Sequence, residues 1–162
     1  RDVLGSRGLG DVYKRQINKS SYSIHELLTL ASIVELEASR DVDRASVAGV
    51  FYNRLENNWS LGSDVTTYYA ARVDMSERDL YVSELNEYNA YNTRSSKMAG
   101  KLPVGPICNP SEESILAAIN PVSHNYFYFV ADKNKKTYFS RTSSEHAKTI
   151  SELKEAGLWY EY

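Results

Sequence analysis

The apolar positions of this chain fall into a few distinct rhythms, and each rhythm predicts an element. Ser23, with Glu26 three residues later, makes a capping box, and an almost continuous apolar run over 24–38 follows at once. That is the start and body of a helix. A second helix is predicted over 43–57, where Val47, Val50, Phe51 and Leu55 recur at helical spacing. The stretch NNWSLGSDVTTYYAA, 57–71, changes to β-branched and aromatic residues and reads as a turn, a loop and a short strand. Residues 76–86 read as a short helix opened by Ser76 and Asp79. Residues 87–110, rich in Tyr, Asn, Gly and Pro, read as a long ordered loop, a kind of segment that often carries function.

Asn109, Pro110 and Glu112 mark a further helix start, and that helix runs through ILAAI to a stop at Asn120-Pro121. YFYFVA (126–131), the polar turn DKNKK and TYFS (137–140) predict a β-hairpin. A last helix over about 144–156 ends at Gly157, a favourable C-terminal cap. The fold class expected from this order is α+β: helices, a long ordered loop, and a β-hairpin in the C-terminal half.

Composition narrows the picture without changing it. A chain of 162 residues suits one domain, or one domain with a tail, and 42% hydrophobic residues suffice for a core. A net charge of −2 gives no reason to expect a nucleic-acid partner. The single cysteine, Cys108, excludes an internal disulfide. No apolar run approaches the roughly 20 residues that cross a bilayer. His25 and His124 have no metal-ligand spacing, and there is no zinc motif, P-loop or nucleophile elbow, so neither metal nor cofactor is expected. The first sixteen residues, RDVLGSRGLGDVYKRQ, follow no sustained period and resemble translated sequencing-adapter sequence. The expected organisation is therefore a non-native segment over 1–16, or else a polar linker, and one domain over 17–162. A native N-terminal region is expected to be missing ahead of it.

The candidate chemistry sits in the first helix, where ASIVELEAS, 31–39, carries Glu35 and Glu37 inside an apolar run. Carboxylates are costly in such surroundings unless paired, hydrogen-bonded or catalytic. Residues two apart on a helix point about 200° from each other, so these two do not face one cleft. That rules them out as the opposed carboxylates of an ordinary glycosidase, which flank a single bond. The apolar stripe centres near Leu27, Ala31, Val34 and Ala38, with one glutamate on each margin. Periodicity leaves open which of them lies beside a cleft. On the blander alternative both are boundary residues, one solvated and one paired with Arg40, Arg44 or Arg54.

A series of motifs bears on that choice. ASIVELE (31–37), VAGVFYNRL (47–55), SLGSDVTTYY (60–69), YNAYNT (88–93), KLPVGPICNP (101–110), NYFYFVAD (125–132) and a late EH (145–146) occur in one order along the chain. In that series the chain resembles the catalytic domain of the YceG-like family of endolytic murein transglycosylases, over roughly 24–150. The resemblance implies cleavage of peptidoglycan glycan strands between N-acetylmuramic acid and N-acetylglucosamine, lytic and not hydrolytic, leaving 1,6-anhydro-muramyl ends. It implies Glu37, the second glutamate of its motif, as the essential acid, with Glu35 as a supporting residue or the alternative acid. It further implies a single-pass N-terminal membrane anchor and a small domain in the full-length protein, an extracytoplasmic site, and partners in the cell-wall synthesis machinery.

One carboxyl group suffices for such a reaction. As an acid it protonates the glycosidic oxygen, which calls for a pKa raised by apolar surroundings. As a carboxylate it then takes the proton of the sugar's own C6 hydroxyl, a nucleophile already tethered to the reacting centre. For handling the sugars the motifs offer Asn53, Asp64, Thr66, Tyr91, Asn92 and Thr93. Arg54 is offered as a bond to the first helix or to the sugars. Each has a structural alternative: a loop cap for Asp64, an ordered turn around one packed tyrosine for 91–93. The chain departs from the family pattern at Gly62, where Gln is usual, and at Val65, where Pro is usual. His146 is read as a cap or a groove contact, with structure favoured, and the aromatic hairpin as core. The competing functional readings are a noncatalytic glycan-binding or scaffold domain, and a hydrolytic muramidase in which Asp64 positions water.

Overall fold

The computed structural model describes residues 14–160, and most of the adapter-like segment therefore lies outside the described residues. Residues 14–19 are helical, and Gln16 Oε1 accepts a bond from Asn120 Nδ2 at 3.0 Å. Helix α1, Ile24–Glu37, opens on the expected capping box: Glu26 N–H donates to Ser23 Oγ and Ser23 N–H to Glu26 Oε1. It buries Leu27, Leu30, Ala31, Ile33 and Val34. Helix α2, Arg44–Glu56, follows a 3-10 turn over Asp41–Asp43 and buries Val47, Ala48, Val50, Phe51 and Leu55. These two faces, with Leu61, Ala117 and Ala118, form the core, and Phe129 and Phe139 of the hairpin pack against it. The ring of Phe51 meets Phe129 edge-on at 5.8 Å.

The chain turns helical again where a strand was expected. Residues Asp64–Ala71 form α3, with Val65, Thr66 and Thr67 buried. β-branched and aromatic content favours strands only weakly, and a short segment whose threonines find buried partners overrides it. The expected helix over 76–86 shrinks to α4, Val82–Asn86. Its start is set by the Glu84 carboxylate, which accepts the Tyr81 N–H at 2.8 Å and pairs with Arg78, whereas Ser76 closes a tight turn on Asp74. Residues 87–110 are the expected ordered loop, apart from a 3-10 turn at Ser96–Met98.

Helix α5, Glu112–Ile119, is capped by Ser111 and not by Asn109, two residues later than expected, and stops at Asn120. It packs against both α1 and α2. Strands β1, Tyr128–Ala131, and β2, Thr137–Ser140, form one antiparallel hairpin, with Tyr128 opposite Ser140 and Ala131 opposite Thr137. Asp132 holds its turn by accepting the N–H groups of Asn134 and Lys136 and the Tyr138 hydroxyl. Helix α6, Ser143–Glu155, is capped by Thr142, packs on both strands, and ends at Gly157 with φ +68°. The architecture is α+β, helices around a two-stranded sheet.

Candidate active site

The two glutamates of α1 meet opposite environments. Glu35 Oε2 accepts the Arg44 guanidinium at 2.8 Å, the Ser111 hydroxyl at 2.6 Å, the Ser111 N–H at 3.2 Å and the Ser114 hydroxyl. The Ser111 and Ser114 hydroxyls, with the Ser111 N–H and Arg44, outweigh burial and hold its pKa down to about 2. Glu35 is thus a charged suture between α1, α2 and α5. Of the three arginines the sequence offered as its partner, Arg44 is the one bonded to it; Arg40 pairs with Asp43 instead.

Glu37 is the last residue of α1 and has a single neutral hydroxyl on it: Ser63 Oγ donates to Glu37 Oε1 at 2.5 Å. Some of its surface stays accessible, yet enough protein surrounds the carboxyl for desolvation to dominate, and its pKa is raised. Asp64 adds to that rise; the Ser63 hydroxyl, Arg54 and Arg94 oppose it. The C-terminal end of a helix, where the carbonyl dipoles point, also disfavours a carboxylate. An acid that is both reachable and reluctant to ionise is what general-acid chemistry needs.

The loop that brings Ser63 to Glu37 is built from hydroxyls. Gly62 takes a left-handed φ of +62°, and its N–H bonds Thr93 O at 3.1 Å. Ser63 N–H donates to Thr93 Oγ1 at 3.0 Å, and the Thr66 hydroxyl donates to Ser63 O at 2.7 Å. Thr66 and Thr93 also bond each other at 2.7 Å, and Thr67 donates to Asn92 Oδ1 at 2.9 Å. Asn92 Nδ2 in turn reaches the carbonyls of Leu85 and Glu87. Thr66, Asn92 and Thr93, offered by the sequence as sugar contacts, are therefore buried scaffold beneath the site. Val65 lies in the first turn of α3, where the N–H has no intrahelical acceptor, so Val and Pro are both accommodated there.

The remaining sequence candidates divide. Asp64 is half exposed and pairs with Arg94, and both act on Glu37, so this pair borders the Glu37 carboxyl. Tyr91 is half-buried against Tyr69, ring centroids 4.8 Å apart. Asn53 lies elsewhere: its amide donates to the His124 and Tyr126 carbonyls, and it borders a separate cavity of about 490 Å³ between residues 16–22, α2 and the end of α5. That cavity does not include Glu37.

Sequence reasoning passed over two contributors, and the structure specifies the roles of two it had named, Arg54 and His146. Ser63 appeared only as part of a motif, and Arg94 follows the YNT motif unremarked. Arg54 donates to Leu61 O at 2.5 Å and Phe127 O at 2.8 Å, so it ties the Ser63 loop and the hairpin to α2, with its guanidinium 5.6 Å from the Tyr128 ring. His146 is not a cap. Its ring stacks on Tyr128 at 5.2 Å, and burial, with Arg54 adding, pushes its pKa down. Cys108 donates to Ser32 O, and burial, with Glu35 adding, pushes its thiol pKa up, away from the thiolate form. Among the described residues no cluster of His, Cys, Asp and Glu suits a metal ion, and no helix is long and apolar enough to cross a membrane.

Comparison with known proteins finds relatives over most of the chain. The model of the YceG-like family matches residues 6–152. An endolytic murein transglycosylase of Bacillus subtilis (strain 168) is 41% identical over 138 residues, covering 85% of this chain and 37% of that protein. One from Streptococcus pneumoniae (strain ATCC BAA-255 / R6) is 32% identical over 148 residues, covering 87% and 26%. The crystal structure of a YceG-like protein from Listeria monocytogenes superposes with a TM-score of 0.77 at 36% identity, over 91% of this chain and 47% of that one. The chain thus spans between a quarter and two-fifths of the length of these curated relatives. On this sequence and structural similarity, the chain belongs to the YceG-like family.

Proposed function

We propose that this domain is an endolytic lytic transglycosylase that cuts peptidoglycan glycan strands, with Glu37 as acid and then base. The observation that carries the reading is the division between the two glutamates. Glu35 is held ionised by four donors, whereas Glu37 is desolvated, accessible and raised in pKa. The relatives' name, endolytic murein transglycosylase, supports the same substrate and reaction class.

Glu37 gives its proton to the glycosidic oxygen as the bond to the muramyl anomeric carbon breaks, and the N-acetylglucosamine side leaves as an alcohol. Positive charge develops on that carbon and the ring oxygen. The new carboxylate lies beside it and takes the proton of the muramyl C6 hydroxyl, whose oxygen closes on the anomeric carbon to give the 1,6-anhydro ring. The proton count closes on one residue. Asp64 is already paired with Arg94 and so is not free to hold a water, which favours the lytic course over hydrolysis. The reading places the site on the cell-wall side of the cytoplasmic membrane, on a single-pass anchor in the full-length protein, in reach of the cell-wall synthesis machinery.

Mass analysis of the sugars released from purified glycan strands tests it. Anhydro-muramyl ends are expected. Reducing muramic acid ends would make the protein a muramidase, and binding without cleavage would make it a glycan-binding module.

A further inference from the structure

We infer that Ser63 is a positioning residue that reserves one oxygen of Glu37 for chemistry: its hydroxyl occupies Oε1, so that Oε2 both delivers and retrieves the proton. The inference rests on the reading of Glu37 as the acid. Its ground is geometric. Ser63 is buried, and its backbone is clamped on both sides, N–H to Thr93 Oγ1 at 3.0 Å and C=O from Thr66 Oγ1 at 2.7 Å. The two clamping hydroxyls bond each other, and Thr93 N–H bonds Thr66 Oγ1 at 3.2 Å. A serine held this way presents its hydroxyl at a fixed point, 2.5 Å from Glu37 Oε1.

The chemistry follows from what a carboxyl offers. In the acid form one oxygen carries the hydrogen and the other accepts. An O–H donor fixed on Oε1 makes that oxygen the acceptor, so the acidic hydrogen resides on Oε2. After transfer, the same hydroxyl becomes a charge-assisted donor to the carboxylate and keeps Oε1 occupied. The C6 hydroxyl proton therefore returns to Oε2, and the carboxyl does not rotate between the two half-reactions. Besides Ser63, the charged groups facing Glu37 are Arg54 from α2, Asp64 from the start of α3 and Arg94 from the long loop. All three persist when the hydroxyl alone is removed.

The test is Ser63→Ala beside Ser63→Thr, read in two ways. The first is a carbon-13 titration of the Glu37 carboxyl, which needs no activity. Removing a donor that favours the charged form raises the pKa, so the midpoint in Ser63→Ala is expected about half to one unit above the parent's. The second is the pH profile of anhydro-end release. The acid must be protonated, so the falling alkaline limb moves up by the same amount, kcat falls roughly tenfold, and KM holds. Ser63→Thr restores both. An unchanged midpoint in Ser63→Ala overturns the inference, and so does a loss of kcat that Ser63→Thr does not restore. Should Glu37→Gln cleave as well as the parent, the acid assignment fails separately, and the titration still decides whether Ser63 holds Glu37.

Discussion

Two glutamates one turn-fraction apart on the same helix differ because of what stands opposite each, and that difference has measurable consequences for stability. The folded Glu35 pKa is about 2, below its ordinary 4.5. A depressed carboxylate contributes stability that is fully present above about 4.5 and is lost as pH falls toward 2. Glu35 is largely covered, a quarter of its side chain remaining exposed, so the contribution is on the order of 2 kcal/mol after solvent screening. Glu37 has the opposite sign: its raised pKa means the native state holds the proton more tightly, so stability falls as pH rises through its titration. In urea unfolding at neutral pH, Glu35→Gln is therefore expected to be less stable than the parent and Glu37→Gln more stable. Both differences should shrink toward pH 3. Equal effects of the two variants at neutral pH would contradict the assignment. None of this was readable from the helix pattern, which is nearly symmetric about the apolar stripe. The partners that break the symmetry, Ser111, Ser114 and Ser63, lie 26 to 79 positions away.

At the scale of elements, what was legible depended on whether the signal was local. The start of α1, the Asn120-Pro121 stop, the hairpin and the Gly157 cap each rest on a few neighbouring residues, and the fold has them. Helix α3 was missed because Val65, Thr66 and Thr67 look strand-like alone and become helical through partners on the 87–95 stretch. The same blindness left Asn92 and Thr93 open between a sugar groove and an ordered turn, since burial of a small polar side chain leaves no mark in sequence. Gly49 carries a related constraint. The segment that leads into the hairpin crosses α2 so closely that a Cβ there would collide with Val122 O and lie 2.8 Å from His124 Nε2. That segment is pinned by Val122 N–H to Ala45 O and by His124 to Ser46 O. Gly49→Ala is expected to lower the stability by about 3 kcal/mol, read as a drop in the urea midpoint at unchanged slope. A midpoint within error of the parent would mean that the crossing yields easily.

For the molecule as a whole, the arrangement is a helical core that delivers one carboxyl to an edge, with a polar lattice around it that the core does not dictate. Alpha helices, loop and hairpin converge on Glu37 from separate stretches: Arg54 from α2, Ser63 and Asp64 before and at α3, Arg94 from the long loop, and Tyr128 with His146 behind Arg54. The motif series pointed to the family and to this glutamate; the proposal that a single carboxyl is sufficient rests on the tethered C6 hydroxyl and is supported by the contrast between Glu35 and Glu37. That sufficiency is the central claim, and one comparison tests it most directly. Anhydro-muramyl ends released from purified glycan strands would be measured for the parent, Glu37→Gln and Glu35→Gln, each normalised to its folded fraction. The account expects Glu37→Gln to fall by at least roughly a hundredfold and Glu35→Gln to stay within a few-fold of the parent. The reverse order, with Glu35→Gln inactive while folded and Glu37→Gln still cutting, would contradict it.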